Sequence, residues 1–546
     1  MALGSAPVRW IVATVAAIGT IIVVGGLLRG LGLRWGDPYV YHPDEWVIAR
    51  HAMTMVATND WNPHNFVYPS LLLELHAGLV ALLHATDSRT LVGGQAWLYE
   101  GEFLPEQFPY ILAGRTLVSL TGIGTILVVF ETGRRLVGVV GGLASAAILA
   151  VLPLAVEHAH YVTTDVPVTF LCALCALATV LAVRSGRMRW WVLAGLIAGL
   201  AGSTKWNGLL VVGVPLLALI SQRPSLSIVD GDFASKLAAI PVAAVAALVA
   251  ATPGIVLAPT EVSASLTILT NHYRLADPRQ TQGTLALNLG ALLAGFGPLL
   301  AWGVAGMVVA MRRAWVEPSM RVAITIPTFI LVYLVVVSLP PRQYPRNLLP
   351  MLPYLAIGGG IATATLVGWV RSRSVQGTRR SRLGTALVPI GLAACMVLPL
   401  SASAEITSAM RNPDTRLIAR AWMLDHVPNR TRIAREVFTP QFSPTEFRLR
   451  GSYFLHQRTL EEYRALGVRY LIASGRTYDR FVDIPGAVDE TAFYRALFAL
   501  PEVFRVDPGP GRRGPTIRIF RLDPLGADRQ LGLGAALGDS YPASGL

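Results

Sequence analysis

Acidic residues that could act as catalytic bases occur at two places in an otherwise apolar chain. Asp44 and Glu45 directly follow a proline in one polar segment, and Asp165 ends a second polar segment much further along. A positioned carboxylate can remove the proton from an acceptor hydroxyl, as group transfer to a hydroxyl requires. Asp44, Glu45 and Asp165 are therefore the candidate catalytic residues.

Basic and aromatic residues at the ends of the apolar runs could complete such a site. Lys205 is one of only two lysines in the chain, and it interrupts the long apolar run 190–221. Ammonium and guanidinium groups stabilise the charge that develops on a departing phosphate. The candidate substrate-binding residues are His42, Tyr68, His160, Tyr161, Lys205, His272, Arg274, Arg342, Tyr344 and Arg346.

Several of these residues also have a purely structural interpretation. Asp44 and Glu45 after Pro43 suit the first turn of a helix, and Asp165 suits a helix start as well. Lys205 could extend its ammonium group to the membrane surface. The combination nevertheless favours chemistry, because ionisable groups at membrane depth are costly and mark functional sites.

Composition assigns the chain to the membrane. It has 546 residues, of which 53% are hydrophobic and only 14% charged, and its mean hydropathy is +0.51. A soluble protein carries about 25% charged residues, so soluble, disordered and coiled-coil classes are excluded. Three cysteines are too few for a disulfide framework. The net charge of +13 reflects basic loops that orient membrane helices, so no nucleic-acid partner is expected.

Long apolar runs predict a polytopic α-helical protein with about eleven spans and the lipid bilayer as its surroundings. Lys205 and Asn207 divide the run 190–221 into two short helices. The run 70–84 carries Glu74 and His76, and we interpret it as an interfacial helix within an outer loop 29–109. The spans are expected near 10–28, 110–130, 136–156, 166–183, 190–204, 207–221, 237–258, 284–311, 321–339, 347–370 and 384–403.

Charge density divides the chain near residue 403. Residues 1–403 are sparsely charged and form the predicted membrane domain, whereas residues 404–546 reach the charge density of a soluble domain. Short β-rich runs such as Leu466–Ser474 and Ile517–Phe520 alternate with helical ones there. We therefore expect a small C-terminal α/β domain.

Short basic loops set the orientation of the spans. They all fall on one side in this count, which the positive-inside rule makes cytoplasmic. The N-terminus is then inside, while the loop 29–109, the candidate site and the C-terminal domain are outside. These loops contain Arg134-Arg135, Arg184, Arg187, Arg189, Arg223, Arg312-Arg313 and the arginines of 371–382.

Six motifs follow one another in a definite order along the membrane part of the chain. They are His42–Glu45, Phe66–Ser70, Arg115, His160–Asp165, Gly199–Lys205 and Tyr344–Pro350. Their order and topology resemble the polyprenyl-phosphate-sugar-dependent glycosyltransferases of the GT-C fold. The nearest branch contains the protein O-mannosyltransferases and the lipid A aminoarabinose transferase, and the resemblance covers about residues 10–370.

The resemblance implies a role for each matching residue. Asp44 matches a first-loop acidic residue that is the base or organises it, and Glu45 completes the acidic pair. Asp165 matches a second acidic position that orients substrate or, in some members, a metal. Lys205 and Arg346 would hold the phosphate of a dolichyl-phosphate-type sugar donor. The implied reaction transfers a hexosyl or pentosyl group to an extracytoplasmic hydroxyl with inversion.

The resemblance also implies a place in the cell. Many prokaryotic members carry an outer soluble domain, so we expect an enzyme of a prokaryotic plasma membrane that acts on the cell envelope. The acidic-His-Pro-Pro motif of the mannosyltransferase branch is replaced here by Asn62-Pro63-His64-Asn65. The sugar, the lipid length and the acceptor (protein, glycan or lipid) stay open. Metal dependence is open as well: a divalent cation, Mg²⁺ or Mn²⁺, would take Asp44 and Asp165 as ligands, whereas the basic residues could also do the same work alone.

Two other functions fit part of the pattern. A secondary transporter would account for a helix break at Lys205, but the sequence shows neither inverted repeats nor charges at the middle of the spans. A non-catalytic membrane scaffold or sensor would use the C-terminal domain for binding and would leave the acids of the first loop without a purpose.

Overall fold

The helices of the computed structural model follow the apolar runs of the sequence. The structure describes residues 5–89, 91, 105–223, 230–275, 280, 282–373, 379–450 and 453–523. Short 3-10 segments at Pro105–Gln107, Trp206–Val212, Pro318–Ile324 and Pro345–Met351 lead into four of the helices. The α-helices of the described membrane part are α1 (Ser5–Gly30), α2 (Pro43–Thr58), α3 (Ser70–Thr86), α4 (Phe108–Val137), α5 (Val139–Ala150), α6 (Pro153–His158), α7 (Asp165–Ser185), α8 (Met188–Thr204), α9 (Gly213–Ser221), α10 (Gly231–Ala250), α11 (Gly254–Leu257), α12 (Pro259–Arg274), α13 (Thr284–Phe296), α14 (Leu299–Val316), α15 (Thr325–Ser338), α16 (Leu352–Arg373) and α17 (Arg379–Arg411).

Among the described residues, eight helical segments are long and apolar enough to cross a membrane. Large apolar side chains on their outward faces, among them Leu120, Val242 and Val308, are exposed, as contact with lipid requires. The chain is an integral membrane protein. The eight segments are Arg9–Gly30, Pro105–Val137, Asp165–Ser185, Gly231–Ala250, Leu299–Val316, Pro318–Ser338, Pro345–Arg373 and Leu383–His426.

The remaining predicted spans are shorter or interrupted helices. The predicted span 136–156 is α5, which has 12 residues and ends before Pro153 starts α6. The run 190–221 does break at Lys205, into α8 and a 3-10 segment that continues as α9. The predicted span 284–311 is divided at Gly297, whose φ of 53° ends α13 before Pro298. The number of about eleven spans therefore stays a prediction.

The centre of the membrane part is α16. Its residues from Leu352 to Ile361 are all buried, and the helix packs against α4, α5 and α14. Small residues allow the closest of these approaches, since a Cβ on Gly306 of α14 would overlap the carbonyl oxygen of Gly358. Such close packing is the usual basis of helix association in membranes, where burial of apolar surface contributes little.

A second layer lies over the start of α4. Ile48 and Ala52 of α2, Leu72 and Leu73 of α3 and Tyr110 of α4 form an apolar cluster of their own. The run 70–84, predicted as an interfacial helix, corresponds to α3. This layer carries the first turn of α2, which contains Asp44 and Glu45.

The C-terminal region contains the expected small sheet. Its strands stand in the order β2-β1-β3-β5-β4, with β1 parallel to β2 and β3, and β5 antiparallel to β3 and β4. Helix α18 packs on one face of the sheet, and α19 and α21 pack on the other. The elements are α18 (Thr415–His426), β1 (Arg432–Arg435), β2 (Arg448–Leu449), α19 (Leu460–Ala465), β3 (Tyr470–Ser474), α20 (Gly475–Tyr478), α21 (Val488–Phe498), β4 (Glu502–Val506) and β5 (Ile517–Arg521).

The predicted domain boundary at residue 403 falls inside α17, which continues to Arg411. Ser403 itself is buried, and its hydroxyl donates to the carbonyl oxygen of Val151 at 2.8 Å. Thr407, one turn later, donates to the carbonyl oxygen of Leu28 at 2.8 Å. The last turns of α17 therefore pack on the membrane helices and lead directly into the sheet domain.

Replacement of Gly306 tests the contact between α14 and α16. Gly306→Ala should destabilise the protein by about 1–3 kcal/mol, because an added methyl in a packed interface forces the backbones apart. Gly290→Ala in α13 is the matched control, since a Cβ there meets open space and alanine favours a helix over glycine by about 1 kcal/mol. Thermal unfolding in detergent compares the two. Equal unfolding midpoints would contradict the close approach.

Candidate active site

The first turn of α2 determines where Asp44 lies. His42 is the N-cap residue, and its Nδ1 accepts a hydrogen bond from the backbone N–H of Asp44 at 3.3 Å. Pro43 occupies the first helical position. A backbone N–H there has no partner within the helix, so the proline costs no hydrogen bond. The carboxylate of Asp44 forms an ion pair with Arg346. The helix start thus presents Asp44 to a cation from a distant part of the chain.

Glu45, the next residue, faces the protein interior instead. Its carboxylate is fully buried and accepts hydrogen bonds from Nε and Nη2 of Arg115, both at 2.8 Å. The backbone N–H of Val162 donates to the same carboxylate at 2.9 Å, and Arg115 also donates to the carbonyl oxygens of Leu33 and Trp35, both at 2.7 Å. This geometry favours a positioning role for Glu45 over the catalytic role expected from the sequence.

Arg346 lies between the two remaining carboxylates. It belongs to the 3-10 segment that leads into α16, and its Nε is 4.0 Å from Oδ2 of Asp165. The guanidinium also stacks over the ring of Tyr344, 4.7 Å from the ring centre. One cation thus brings together Asp44 from the outer layer and Asp165 from the start of α7.

Lys205 is the partner of Asp165. It ends α8 in an extended conformation, with φ −152° and ψ 131°, and this break aims its side chain across the site. Nζ donates to Oδ1 of Asp165 at 2.7 Å and to the side-chain oxygen of Asn347 at 2.8 Å. The amide of Asn347 in turn donates to the hydroxyl of Tyr273 at 3.2 Å. Both polar ends of Asn347 therefore take part in the same network.

Asp44, Asp165, Lys205 and Arg346 form what we call the ionic cluster. Two carboxylates and two cations balance in charge, which lowers the cost of holding them in a partly buried place. The side chain of Asp44 is 17% exposed, against 4% for Asp165. Asp44 is therefore the carboxylate that an incoming substrate can reach.

Other predicted residues surround this cluster. Tyr68 lies near both carboxylates, and burial together with the charge of Asp44 raises the pKa of its hydroxyl well above 10. Nε2 of His272 and the hydroxyl oxygen of Tyr344 share a hydrogen bond at 2.8 Å. Arg342 contacts Nδ1 of the same imidazole at 3.2 Å. The predicted group of Tyr68, His272, Arg342 and Tyr344 is thus assembled at the site.

Three predicted residues are placed differently. His160 is fully buried, and its ring nitrogens lie 2.8 and 3.0 Å from the carbonyl oxygens of Val156 and Leu31, a geometry typical of a structural link. Arg274 is exposed and lines a groove beside α12 with Asn271 and Thr270. Tyr161 is buried and stacks on His42, with 4.2 Å between ring centres, so it supports the helix cap.

Three residues near the ionic cluster were missed among the sequence candidates. Asn347 accepts a hydrogen bond from Lys205 and donates one to the hydroxyl of Tyr273, and His158 lies within electrostatic range of both carboxylates. Each is adjacent or nearly adjacent in sequence to a residue that was selected. Their position next to a selected residue was the only signal in the sequence that could have indicated them. Their side chains are neutral, so they did not stand out as charged groups at the ends of apolar runs.

The carboxylates do not fit a divalent cation well. A metal shared by Asp44 and Asp165 would have to occupy the space where the guanidinium of Arg346 meets both of them. Among the described residues, no group of three His, Cys, Asp or Glu side chains is arranged to hold a metal ion. In this arrangement Arg346 supplies the positive charge that a metal would bring.

Comparison with known proteins places these observations in a family context. The family model of dolichyl-phosphate-mannose-protein mannosyltransferases matches residues 110–256, which include Asp165 and Lys205. No curated protein matches the chain. Solved structures, in contrast, match over nearly its whole length.

Two such structures are informative. The archaeal oligosaccharyltransferase AglB from Archaeoglobus fulgidus, in complex with an inhibitory peptide and a dolichol-phosphate, is 11% identical; the match covers 91% of this chain and 73% of that one, with a TM-score of 0.53. ArnT from Cupriavidus metallidurans, bound to undecaprenyl phosphate, is 16% identical; the match covers 94% and 98%, with a TM-score of 0.50. This chain has the GT-C fold. The resemblance expected from the order of its motifs is confirmed.

The buried pair of Glu45 and Arg115 should be essential to the stability of this GT-C protein. Arg115→Met should cost about 3–5 kcal/mol, because it leaves the carboxylate of Glu45 buried without its cation. Arg34→Met removes an exposed pair with Asp37 and should cost at most about 1 kcal/mol. Denaturant unfolding in detergent measures both changes. A loss at Arg115 as small as that at Arg34 would refute the structural role.

Buried histidines should make the protein sensitive to acid. Burial lowers the pKa of His42 and His158 below 6.5, and Arg346 adds to the effect at His42. In the unfolded chain these groups titrate near 6.5, so the unfolded state binds more protons as the pH falls below that value. The free energy of unfolding should therefore decrease as the pH falls from about 7 toward 5.

His42→Asn isolates the contribution of the helix cap. Asparagine is a good N-cap residue without a titrating ring, so this variant should lose less stability between pH 7.5 and 5.5 than the wild-type protein. The measurement is the thermal unfolding midpoint at the two pH values. Equal losses in both proteins would show that His42 does not contribute to the acid sensitivity.

Proposed function

We propose that this protein is a membrane glycosyltransferase that moves a sugar from a polyprenyl-phosphate donor to a hydroxyl of an extracytoplasmic acceptor, with inversion at the anomeric carbon. The observation that carries the proposal is the ionic cluster, in which two carboxylates are paired with two cations where the membrane helices end. The dolichol-phosphate and undecaprenyl phosphate bound to the similar GT-C structures support a lipid-phosphate donor.

The pairing within the cluster suggests how a donor would activate the base. A donor phosphate between Lys205 and Arg346 would attract both cations through charge-assisted hydrogen bonds. Arg346 would then hold the Asp44 carboxylate less tightly, so that this carboxylate could accept a hydrogen bond from the acceptor hydroxyl. Binding of the donor would in this way prepare Asp44 to accept a proton.

The transfer itself is a single displacement. The acceptor oxygen attacks the anomeric carbon from the side opposite the phosphate, and its proton passes to Asp44. The bond between that carbon and the phosphate oxygen breaks, and its electron pair stays on the phosphate, where Lys205 and Arg346 stabilise the charge. No second acid is needed to protonate such a leaving group. Attack from the opposite side inverts the configuration.

The remaining residues would support this step. Asp165 holds Lys205 in place through the 2.7 Å hydrogen bond, and Asn347 fixes the same ammonium group from another direction. Tyr68 keeps its proton and can therefore donate a hydrogen bond to the donor phosphate or sugar. We assign the chain up to the end of α17 at Arg411 to the catalytic membrane domain and the part that follows to an outer domain.

The orientation is part of the proposal. The basic loops favour an outward-facing site in a prokaryotic plasma membrane, with the sheet domain on the same side. Protein, glycan and lipid hydroxyls are all accessible there as acceptors. The arginine between the two carboxylates leads us to expect catalysis without a divalent cation.

Substitution of Asp44 is the direct test. Purified protein is supplied with a panel of radiolabelled polyprenyl-phosphate sugars, and sugar release or transfer is followed with and without a chelator. Asp44→Asn should lower kcat/KM by about 10²–10⁴-fold, as loss of a general base does, and the chelator should change the rate less than twofold. Asp87→Asn, which alters an exposed carboxylate paired with Arg89, is the matched control and should keep its activity.

The other outcomes separate the competing functions. Full activity of Asp44→Asn would remove Asp44 from the mechanism, and loss of activity with the chelator would restore the metal hypothesis. If no donor is turned over or bound by folded protein, the glycosyltransferase proposal fails. Substrate flux into liposomes would then support transport, for which the helix break at Lys205 is the motivating feature.

A further inference from the structure

One edge of the C-terminal sheet lies against the loop before α2, the helix whose first turn carries Asp44. Strands β1 and β3 are adjacent and parallel, so the loops that follow them leave the sheet at the same edge. In the loop after β1, Gln441 donates from Nε2 to the carbonyl oxygen of Val40 at 3.0 Å. Val40 lies two residues before the N-cap of α2. In open α/β sheets, the carboxyl ends of parallel strands are where ligands bind.

Arg476 projects from this edge. It is the second residue of α20, directly after β3, and the hydroxyl of Thr477 fixes the turn by donating to the carbonyl oxygen of Val437 at 2.9 Å. The guanidinium of Arg476 lies over the ring of Phe438, 4.4 Å from its centre, and the side chain is exposed. A flat aromatic support leaves the edges of the guanidinium available for hydrogen bonds to an anion.

Phe438 adopts a backbone conformation that bulky residues avoid. Its φ is 64°, in the left-handed region, while its ring is buried beneath Arg476. Such a conformation is unfavourable for a residue with a Cβ and persists where the surroundings impose it, often at ligand sites. The strain here falls on the residue that supports the arginine.

Two other arginines, Arg416 and Arg480, lie within electrostatic range of Arg476. Among the described residues, no carboxylate forms an ion pair with it. Neighbouring groups partly remove the guanidinium from water, and this desolvation, together with the charges of Arg416 and Arg480, lowers its pKa to about 10. Arg476 therefore remains a cation at neutral pH. The charge of Asp44 also acts on it, which places it within electrostatic range of the candidate base.

We infer that Arg476 binds an anionic group, a phosphate or a carboxylate, on the sugar acceptor, and that it thereby selects acceptors with such a group near the reacting hydroxyl. The inference rests on the proposed function, in which Lys205 and Arg346 from the membrane helices are assigned to the donor phosphate. Arg476 comes from the other domain and has no part in that assignment. A planar guanidinium suits both phosphate and carboxylate, which it can bind through two parallel hydrogen bonds.

Binding of small probe acceptors tests the inference without turnover. Purified full-length protein in detergent is saturated with a polyprenyl phosphate, and calorimetry then measures the affinity for glucose 6-phosphate, glucuronic acid and glucose. The wild-type protein should bind at least one of the two anionic probes at least tenfold more tightly than glucose. Arg476→Ala should abolish this preference, and Arg476→Lys should keep part of it. The two anionic probes distinguish a phosphate acceptor from a carboxylate acceptor.

A control in the same domain separates a local role from a change in folding. Arg495→Ala removes a pair with Asp483 in which both side chains are about two-thirds exposed, and it should leave all probe affinities unchanged. The inference is overturned if the wild-type protein binds neither anionic probe better than glucose, or if Arg476→Ala keeps the preference. Weaker polyprenyl-phosphate binding by Arg476→Ala would also overturn it, because the arginine would then serve the donor.

The same measurements keep the two proposals apart. Absence of polyprenyl-phosphate binding by the wild-type protein counts against the proposed function. The comparison of anionic with neutral probes decides the role of Arg476 in either case, because it needs no sugar transfer.

Discussion

The arrangement of the outer face depends on the ion pair between Glu45 and Arg115, one residue away from Asp44. Removing two charges from water is costly, and the pair can persist only because its hydrogen-bonding groups find partners. Glu45 accepts from Arg115 and from the backbone of Val162, while Arg115 also donates to the carbonyl oxygens of Leu33 and Trp35. The pair therefore ties α2 and α4 to the first loop and to the segment before α7.

This anchoring explains how two neighbouring carboxylates serve different purposes. Adjacent residues on a helix point in directions about 100° apart, so a helix that buries Glu45 must turn Asp44 to a different side. In this structure that side meets Arg346. The ionic cluster is then neutral, which is the only inexpensive way to keep four charged groups at the end of membrane helices. In the proposed mechanism, an anionic donor enters this neutral cluster by replacing one carboxylate partner of the cations.

Much of the fold could be predicted from the sequence because membrane helices are determined by local composition. Apolar runs of sufficient length gave most of the helices, and charge density identified the C-terminal domain. Asp44, Asp165, Lys205 and Arg346 could be grouped because the topology brought them to one face. Whether a given side chain turns inward could not be predicted, as Glu45 and His160 demonstrate, because that depends on which helix packs against which face.

The sequence of the C-terminal domain gave weaker signals for function, because the direction of its side chains also depends on tertiary packing. Arg476 is one of many charged residues in that domain, and no local pattern distinguishes an arginine that reaches the site from one that faces solvent. Only the tertiary contacts separate them. Arg416 donates to the carbonyl oxygen of Tyr41 at 3.2 Å, and Arg513 pairs with Glu157 beside His158. Long-range pairs of this kind leave no periodic trace in the sequence.

Under the proposed function, these contacts would give the two domains different parts in substrate specificity. The sheet domain is held on the loop before α2 and on α6, which are the segments next to Asp44 and His158. It is therefore part of the wall of the site, and it does not merely follow the last membrane helix. The residues proposed to bind the donor, in contrast, belong to the membrane helices and their ends. Changes in the sheet domain could alter the choice of acceptor while leaving Lys205, Arg346 and the carboxylates in place. A fold divided in this way can keep one donor chemistry and vary its acceptors.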